Sequence, residues 1–181
     1  MEFFVRRVVP GGAGAAADLA AVYGLVCELA EYEKLPMKVD EEGFVAGFEG
    51  ATRVGCALAV ELSGGVETPV GYMVWYPTFS TFRGQGRVFL EDLYVRPESR
   101  GRGYGKAMLA ALAGETRRLG FAVMHWQVLG WNEPAIAFYR SLGAEVDATW
   151  LDCRCEGESL ERLASGEGPR LLAGGEAGES A

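Results

Sequence analysis

The sequence predicts a mixed α/β fold: a central mixed sheet with helices on both faces. Two observations carry this expectation. β-Branched and aromatic runs alternate with stretches of helical periodicity in the order β-α-α-β-β-β-α-β-α-β, so sheet and helices must share one core. The chain has 181 residues, 49% hydrophobic and 23% charged, which suits one domain over residues 1–164 with a flexible acidic tail over 165–181.

Phe3–Val9 reads as the first strand and the small-residue stretch Pro10–Ala17 as a loop. Asp18 is the expected N-cap of a helix to about Tyr32, on which Leu19, Val22, Tyr23, Val26 and Ala30 share a face. Pro36 interrupts, and Asp40–Phe48 forms a short second helix. Cys56–Leu62 and Val70–Tyr76 are strands joined by a hairpin at Ser63-Gly64-Gly65. Pro77–Arg87, with Gly84 and Gly86 among aromatics, is expected to be a mobile loop, and Val88–Val95 a central strand ended by Pro97. The turn Arg100–Gly105 leads into an amphipathic helix with Met108, Leu109, Leu112 and Leu119 on one side. Ala122–Leu129 is a further strand. Asn132-Glu133-Pro134 opens a helix through Leu142, with Pro134 suited to its first turn, and Gly143 ends it. Val146–Cys155 is the expected last strand and Ser159–Ala164 a last short helix; the Gly/Glu/Ala-rich stretch Gly166–Ala181 is expected to be disordered.

Charge and composition exclude several functions. The 25 acidic residues exceed the 17 basic ones, a net charge of −8, against the basic surface a nucleic-acid binder needs. Half of that charge lies after Arg154, where six Glu face Arg162 and Arg170. No apolar run is long enough to span a bilayer, and Met1–Arg7 does not read as a secretory leader, so no membrane association and a cytoplasmic location are expected. The four cysteines read as reduced thiols. Cys153-x-Cys155 has no histidine cluster beside it, His125 being the only histidine, so no metal is expected.

The chemically distinctive stretch is Arg100-Gly101-Arg102-Gly103-Tyr104-Gly105-Lys106, after a strand and opening a helix. Free N–H groups and the helix dipole make such a place a phosphate site, with glycines allowing close approach; a plain turn is the other reading. Gly101-x-Gly103 is not followed by a glycine three residues on, and only three residues separate Gly101 from Gly105. Neither the dinucleotide fingerprint nor the P-loop pattern is met.

Three separated motifs occur in order: Leu90-Glu91-Asp92-Leu93-Tyr94-Val95, then Arg100–Gly105, then Trp131-Asn132-Glu133-Pro134-Ala135-x-x-Phe138-Tyr139. Together they closely resemble the GNAT superfamily of acetyl-CoA-dependent N-acetyltransferases. Leu29-Ala30-Glu31-Tyr32-Glu33 and Met124-His125-Trp126 extend the resemblance toward its diamine (spermidine/spermine-type) and thialysine acetyltransferases, over roughly residues 3–164. The resemblance implies a mostly antiparallel central sheet with a splayed or bulged strand, and a homodimer.

It also implies roles. Acetyl-CoA would lie on Arg100, Gly101, Arg102, Gly103, Tyr104, Gly105 and Lys106, with its pantetheine arm along Leu93, Tyr94 and Val95 and further contacts at Asn132 and Ala135. Ala135 departs from the serine common in the subfamily, and Asn132 also reads as a helix cap. Alkyl ammonium groups have a pKa near 10, so a base is needed; Glu91, otherwise a solvent-facing strand carboxylate, takes that role, and Tyr139, otherwise a core aromatic, becomes the general acid. Tyr32, Glu33, Glu91, Asp92, His125, Trp126 and Trp150 are implied contacts of a small cationic amine. Strict alternation sends Glu91 and Asp92 to opposite faces, so their cooperation requires a bulge, expected near Asp92–Tyr94. Ala148-Thr149 stand where the polyamine enzymes carry acidic residues, which favours a shorter diamine, thialysine or another lysine-like amine.

A protein lysine or N-terminal acetyltransferase and a catalytically silent acyl-CoA-binding module are the competing functions. The first needs an open groove where the Pro77–Arg87 loop suggests a closed cleft; Glu91 and Tyr139 count against the second.

Overall fold

The computed structural model describes residues 2–51, 53–149 and 151–165. Its chain divides into two compact units, Met1–Leu129 and Gly130–Ala181. The first unit holds a five-stranded open sheet in the order β1-β2-β3-β4-β5: β1 (Glu2–Val8), β2 (Gly55–Ser63), β3 (Val66–Ser80), β4 (Gln85–Val95) and β5 (Met124–Trp126). Neighbours from β1 to β4 are antiparallel, and only β5 runs parallel to β4. Helices α1 (Ala15–Glu33), α2 (Glu41–Gly50) and α3 (Tyr104–Arg118) complete this unit. No helix among the described residues is long and apolar enough to cross a membrane.

Helices cover both faces, as β1 makes plain. Arg6 pairs with Asp18 of α1 at 2.8 Å, while the next residue, Arg7, pairs with Glu115 of α3 at 3.0 Å. Successive side chains of a strand point oppositely, so α1 and α3 lie on opposite sides. On the α1 face, Leu19, Val22 and Leu25 pack with Val8, Leu58, Val60, Tyr72 and Tyr94 in the core. Each fully buried Leu or Val contributes about 1.5–3 kcal/mol. Opposite it, Met108, Leu109 and Leu112 of α3 are buried as expected, whereas Leu119 is exposed because it falls at the helix C-cap.

Three other expectations are corrected. Asp18 is not the cap of α1: the helix starts a turn earlier, at Ala15, after Gly14 in the left-handed conformation, and the Asp18 carboxylate goes to Arg6. The alanine run, with the best helix propensity, outweighs the capping residue. Pro77–Arg87 is not a loop; β3 and β4 extend through it as a hairpin, with Ser80 opposite Gln85, which removes the reason to infer a closed cleft there. Pro77 is tolerated because β2 ends opposite Trp75, so β3 beyond it is an edge on that side. No strand forms over the described residues of Val146–Cys155.

Other signals are met. Asp40 caps α2, its side chain accepting from the Gly43 N–H at 2.9 Å. Gly64 and Gly65, both at positive φ, form the two-residue turn between β2 and β3. Lys34 takes the left-handed conformation at the end of α1 and the Leu35 N–H closes on the Ala30 carbonyl, which stops the helix with Tyr32 and Glu33 at its tip. The second unit carries α4 (Glu133–Ser141) and α5 (Glu158–Ala164). The tail expected over 165–181 lies, beyond Ser165, outside the described residues.

Candidate active site

The site begins with an irregularity in β4. Val74 of β3 pairs with Asp92 and the next residue, Trp75, pairs with Leu90, so Glu91 is an extra residue without a partner. This bulge restores Glu91 to the face Asp92 occupies. It falls one residue before the expected segment. Tyr76, two residues after Val74 on the same face of β3, agrees with this orientation by donating its hydroxyl to Glu91 Oε2 at 2.9 Å.

Asp92 is half-buried. Burial pushes its carboxyl up to about 6, and the charges of Glu91 and Glu33 push the same way, while nearby Tyr72 opposes them. Tyr72 itself is fully buried and its hydroxyl makes no hydrogen bond of normal geometry among the described residues. Glu33, at the tip of α1, is half-buried and its carboxyl is likewise raised by burial. The fold thus gathers three carboxylates from α1 and β4.

A second row continues along this face. Tyr76 packs on Phe89 with ring centroids 5.3 Å apart, and His125, opposite Phe89 in the parallel ladder, meets it edge-on at 4.7 Å. Burial and the charge of Arg87 lower the imidazole pKa, so His125 is neutral near pH 7. Trp126 stands opposite Leu90, which alternation places on the α3 face rather than with His125.

Pairing between β4 and β5 ends at Leu90–Trp126, while β4 runs on to Val95; this is the splay. Leu93, Tyr94 and Val95 therefore have no ladder partner on that side among the described residues. The Arg100 side chain folds against this end: its Nε donates to the Val95 carbonyl at 2.8 Å, and its guanidinium lies 5.1 Å from the Tyr32 ring and 5.8 Å from that of Tyr94. Behind it, Glu28 of α1 receives Arg96 at 2.7 Å and the Tyr94 hydroxyl at 3.2 Å, fixing α1 to the end of β4.

The turn after β4 is anchored on three sides. Buried Tyr104 stacks on Phe3 at 4.0 Å, Arg102 pairs with Glu61 at 3.0 Å, and Ser99 also donates to Glu61. Gly101 and Gly103 hold φ of 76° and 85°, and a Cβ on either would meet nothing within 4 Å. Outside the helices, the N–H groups of Gly101, Gly103, Tyr104, Gly105 and Lys106 make no hydrogen bond to backbone among the described residues. Lys106 is exposed. The turn is an open nest of donors at a helix N-terminus, the physical form of an anion cradle.

In the second unit Asn132 caps α4, accepting from the Ala135 N–H at 3.3 Å. Tyr139 is buried, its ring 5.4 Å from that of Phe138. Trp150 lies outside the described residues. Sequence reasoning passed over Tyr72, Tyr76 and Arg87. The first two could have been found from their alternation with Val74; Arg87 was hidden by the loop expectation.

A bulged acidic strand beside a splayed edge and a donor-rich turn is the arrangement that the resemblance in the sequence implies. Residues 23–144 match the model of the acetyltransferase (GNAT) family. The thialysine N-epsilon-acetyltransferase of Bos taurus is 36% identical over 158 residues, 81% of this chain and 92% of that protein. Among solved structures, an integron cassette protein from the V. cholerae mobile metagenome superposes with a TM-score of 0.73 at 22% identity, covering 92% of this chain and 99% of that one. An aminoglycoside N-acetyltransferase in complex with CoA does so with a TM-score of 0.65 at 19% identity, covering 84% and 94%. These two likenesses concern the fold. The chain belongs to the acetyltransferase (GNAT) family and is an N-acetyltransferase.

Proposed function

We propose that this enzyme transfers the acetyl group of acetyl-CoA directly to a primary amine of a small diamine, polyamine or thialysine/lysine-like substrate, both substrates being bound together. The observation that carries the reading is the bulge at Glu91, which sets two carboxylates side by side at the point where β4 loses its neighbour. The relative named for thialysine supports the class of amine.

Acetyl-CoA supplies an activated thioester when bound. The donors of Gly101, Gly103 and Gly105, with the charge of Lys106, fit its phosphates, and the edge at Leu93–Val95, which has no ladder partner among the described residues, fits an extended amide chain added like a strand. Asn132 and Ala135, at the start of α4, complete that assignment. Glu91, held by Tyr76, takes the proton of the attacking ammonium, directly or through a water. Asp92, Glu33 and Tyr32 hold the cationic substrate, with His125 as a neutral wall; Trp150 belongs to the same reading as a substrate contact, whereas Trp126, turned to the α3 face, does not reach this side of the sheet. Tyr139 returns a proton to the departing thiolate. A cytoplasmic homodimer is part of the proposal.

The test is acetyl-CoA turnover against spermidine, putrescine, thialysine, lysine and a basic peptide. Acetylation of one or more of the free amines is expected. Turnover of the peptide alone would replace this reading with a protein acetyltransferase, and acetyl-CoA binding without any turnover with a silent acyl-CoA-binding module.

A further inference from the structure

We infer that Arg87 anchors the carboxylate of a lysine-like substrate and so is the residue that selects such an amino acid over a plain diamine or polyamine within the proposed class. This rests on the reading of Glu91 and Asp92 as the place where the reacting amine sits.

Arg87 lies on β4 four residues before Glu91. Val88 and Leu90 are 0% and 2% exposed on the α3 side, so alternation puts Arg87 and Phe89 on the opposite face, to which the bulge returns Glu91. Contacts agree: Arg87 Nε donates to its register partner Thr78 at 3.2 Å, and Tyr76, on Thr78's face, touches both Phe89 and Glu91. One continuous face therefore has carboxylates at one end, the rings of Tyr76, Phe89 and His125 in the middle, and a guanidinium at the other end.

That guanidinium lacks what its peers have. Three arginines are half-buried among the described residues, Arg6, Arg87 and Arg96. Arg6 pairs with Asp18 and Glu67, and Arg96 with Glu28. Arg87 pairs with no carboxylate among the described residues, only with a neutral hydroxyl, in a chain where acids outnumber bases 25 to 17. A half-buried cation left unpaired is costly, and the planar fork of arginine suits a carboxylate. Neutral His125 beside it offers no competing charge. Four strand residues span roughly 13 Å between Cα atoms; two long side chains leaning inward narrow that to the length of a lysine-sized molecule. The α-ammonium then rests over the rings of Tyr76 and Phe89 as a cation–π contact.

The test compares lysine with 1,5-diaminopentane, which is lysine without its carboxylate, on the full chain with saturating acetyl-CoA. The wild type is expected to favour lysine at least tenfold in kcat/KM. Arg87→Gln should shrink that preference by about tenfold to a hundredfold, through the KM for lysine, the scale of a charge-assisted pair. Arg87→Lys, which keeps the charge but not the fork, should fall between. A wild type without the preference, or a variant that loses both activities in parallel with the ratio intact, overturns the inference. If the wild type acetylates neither these two compounds nor any other free amine, the proposed function falls. Calorimetric binding of the same two compounds in the presence of CoA then decides Arg87 alone: a binding preference for lysine that Arg87→Gln removes supports it, and an unchanged ratio rejects it.

Discussion

Asp92→Asn should stabilise the protein at neutral pH while impairing catalysis. Burial and two neighbouring carboxylates move the Asp92 carboxyl from 3.8 to about 6 on folding; at about 1.36 kcal/mol per pH unit this amounts to about 3 kcal/mol. Its direction is the reverse of a salt-bridged aspartate. Below pH 4 the group is protonated both folded and unfolded, and it costs little. Between about 4 and 6 the unfolded chain gives up its proton while the folded chain keeps it, so stability falls as pH rises, and above 6 the full cost is present. Asparagine does not titrate, and the contributions of other carboxylates largely cancel between variant and wild type. The difference in unfolding free energy should therefore grow in favour of the Asp92→Asn variant by roughly 2–3 kcal/mol from pH 4 to pH 7. Urea unfolding followed by tryptophan fluorescence at the two pH values measures it. A difference that does not change with pH, or a variant less stable than wild type at pH 7, refutes the reasoning.

Two substitutions test the residues proposed to handle protons. Tyr139→Phe should lower turnover roughly a hundredfold or more, the scale of a general acid, with acetyl-CoA affinity within about twofold of wild type; equal loss of both would make Tyr139 structural. Tyr76→Phe removes the donor on Glu91 and should lower kcat/KM roughly tenfold or more at unchanged acetyl-CoA affinity, an effect that disappears when Glu91 is already Gln. Additive losses in the double variant would show that Tyr76 does not act through Glu91.

Features with a local cause were legible in the sequence. The caps at Asp40 and Asn132, the Gly64–Gly65 turn and the donor-rich turn at Gly101–Gly105 each depend on a few adjacent residues, and each forms as its chemistry dictates. Features set by distant partners were not. Pro77 reads as a breaker until β2 is seen to end opposite Trp75, leaving no bond for its missing N–H to lose. The alternating residues of Val146–Cys155 have strand character but no pairing among the described residues, and alternation alone does not make a strand. Asp18 is a good cap by type, but the salt bridge to Arg6 depends on β1 lying alongside α1. Arg87 shows the practical consequence. Placed in a loop, it has no face; placed in a strand, it shares one with Glu91.

One inserted residue accounts for much of the site. Without the extra Glu91 in β4, alternation would turn Glu91 and Asp92 apart and leave Tyr76 opposite no carboxylate. With it, Glu91 joins both Asp92 and the face of Arg87, and the local twist increases where pairing with β5 ends after Leu90. The bulge thus aligns the acids and coincides with the opening of the strand edge. Burying Asp92 beside two other carboxylates raises its carboxyl pKa and destabilises the free fold, an expense that the proposed cationic substrate would offset on binding. Net charge could not reveal this, because the chain's −8 says nothing about where the acids lie; what matters is that three of them meet a strand edge, and that an arginine paired with no carboxylate among the described residues lies four residues away on the same face.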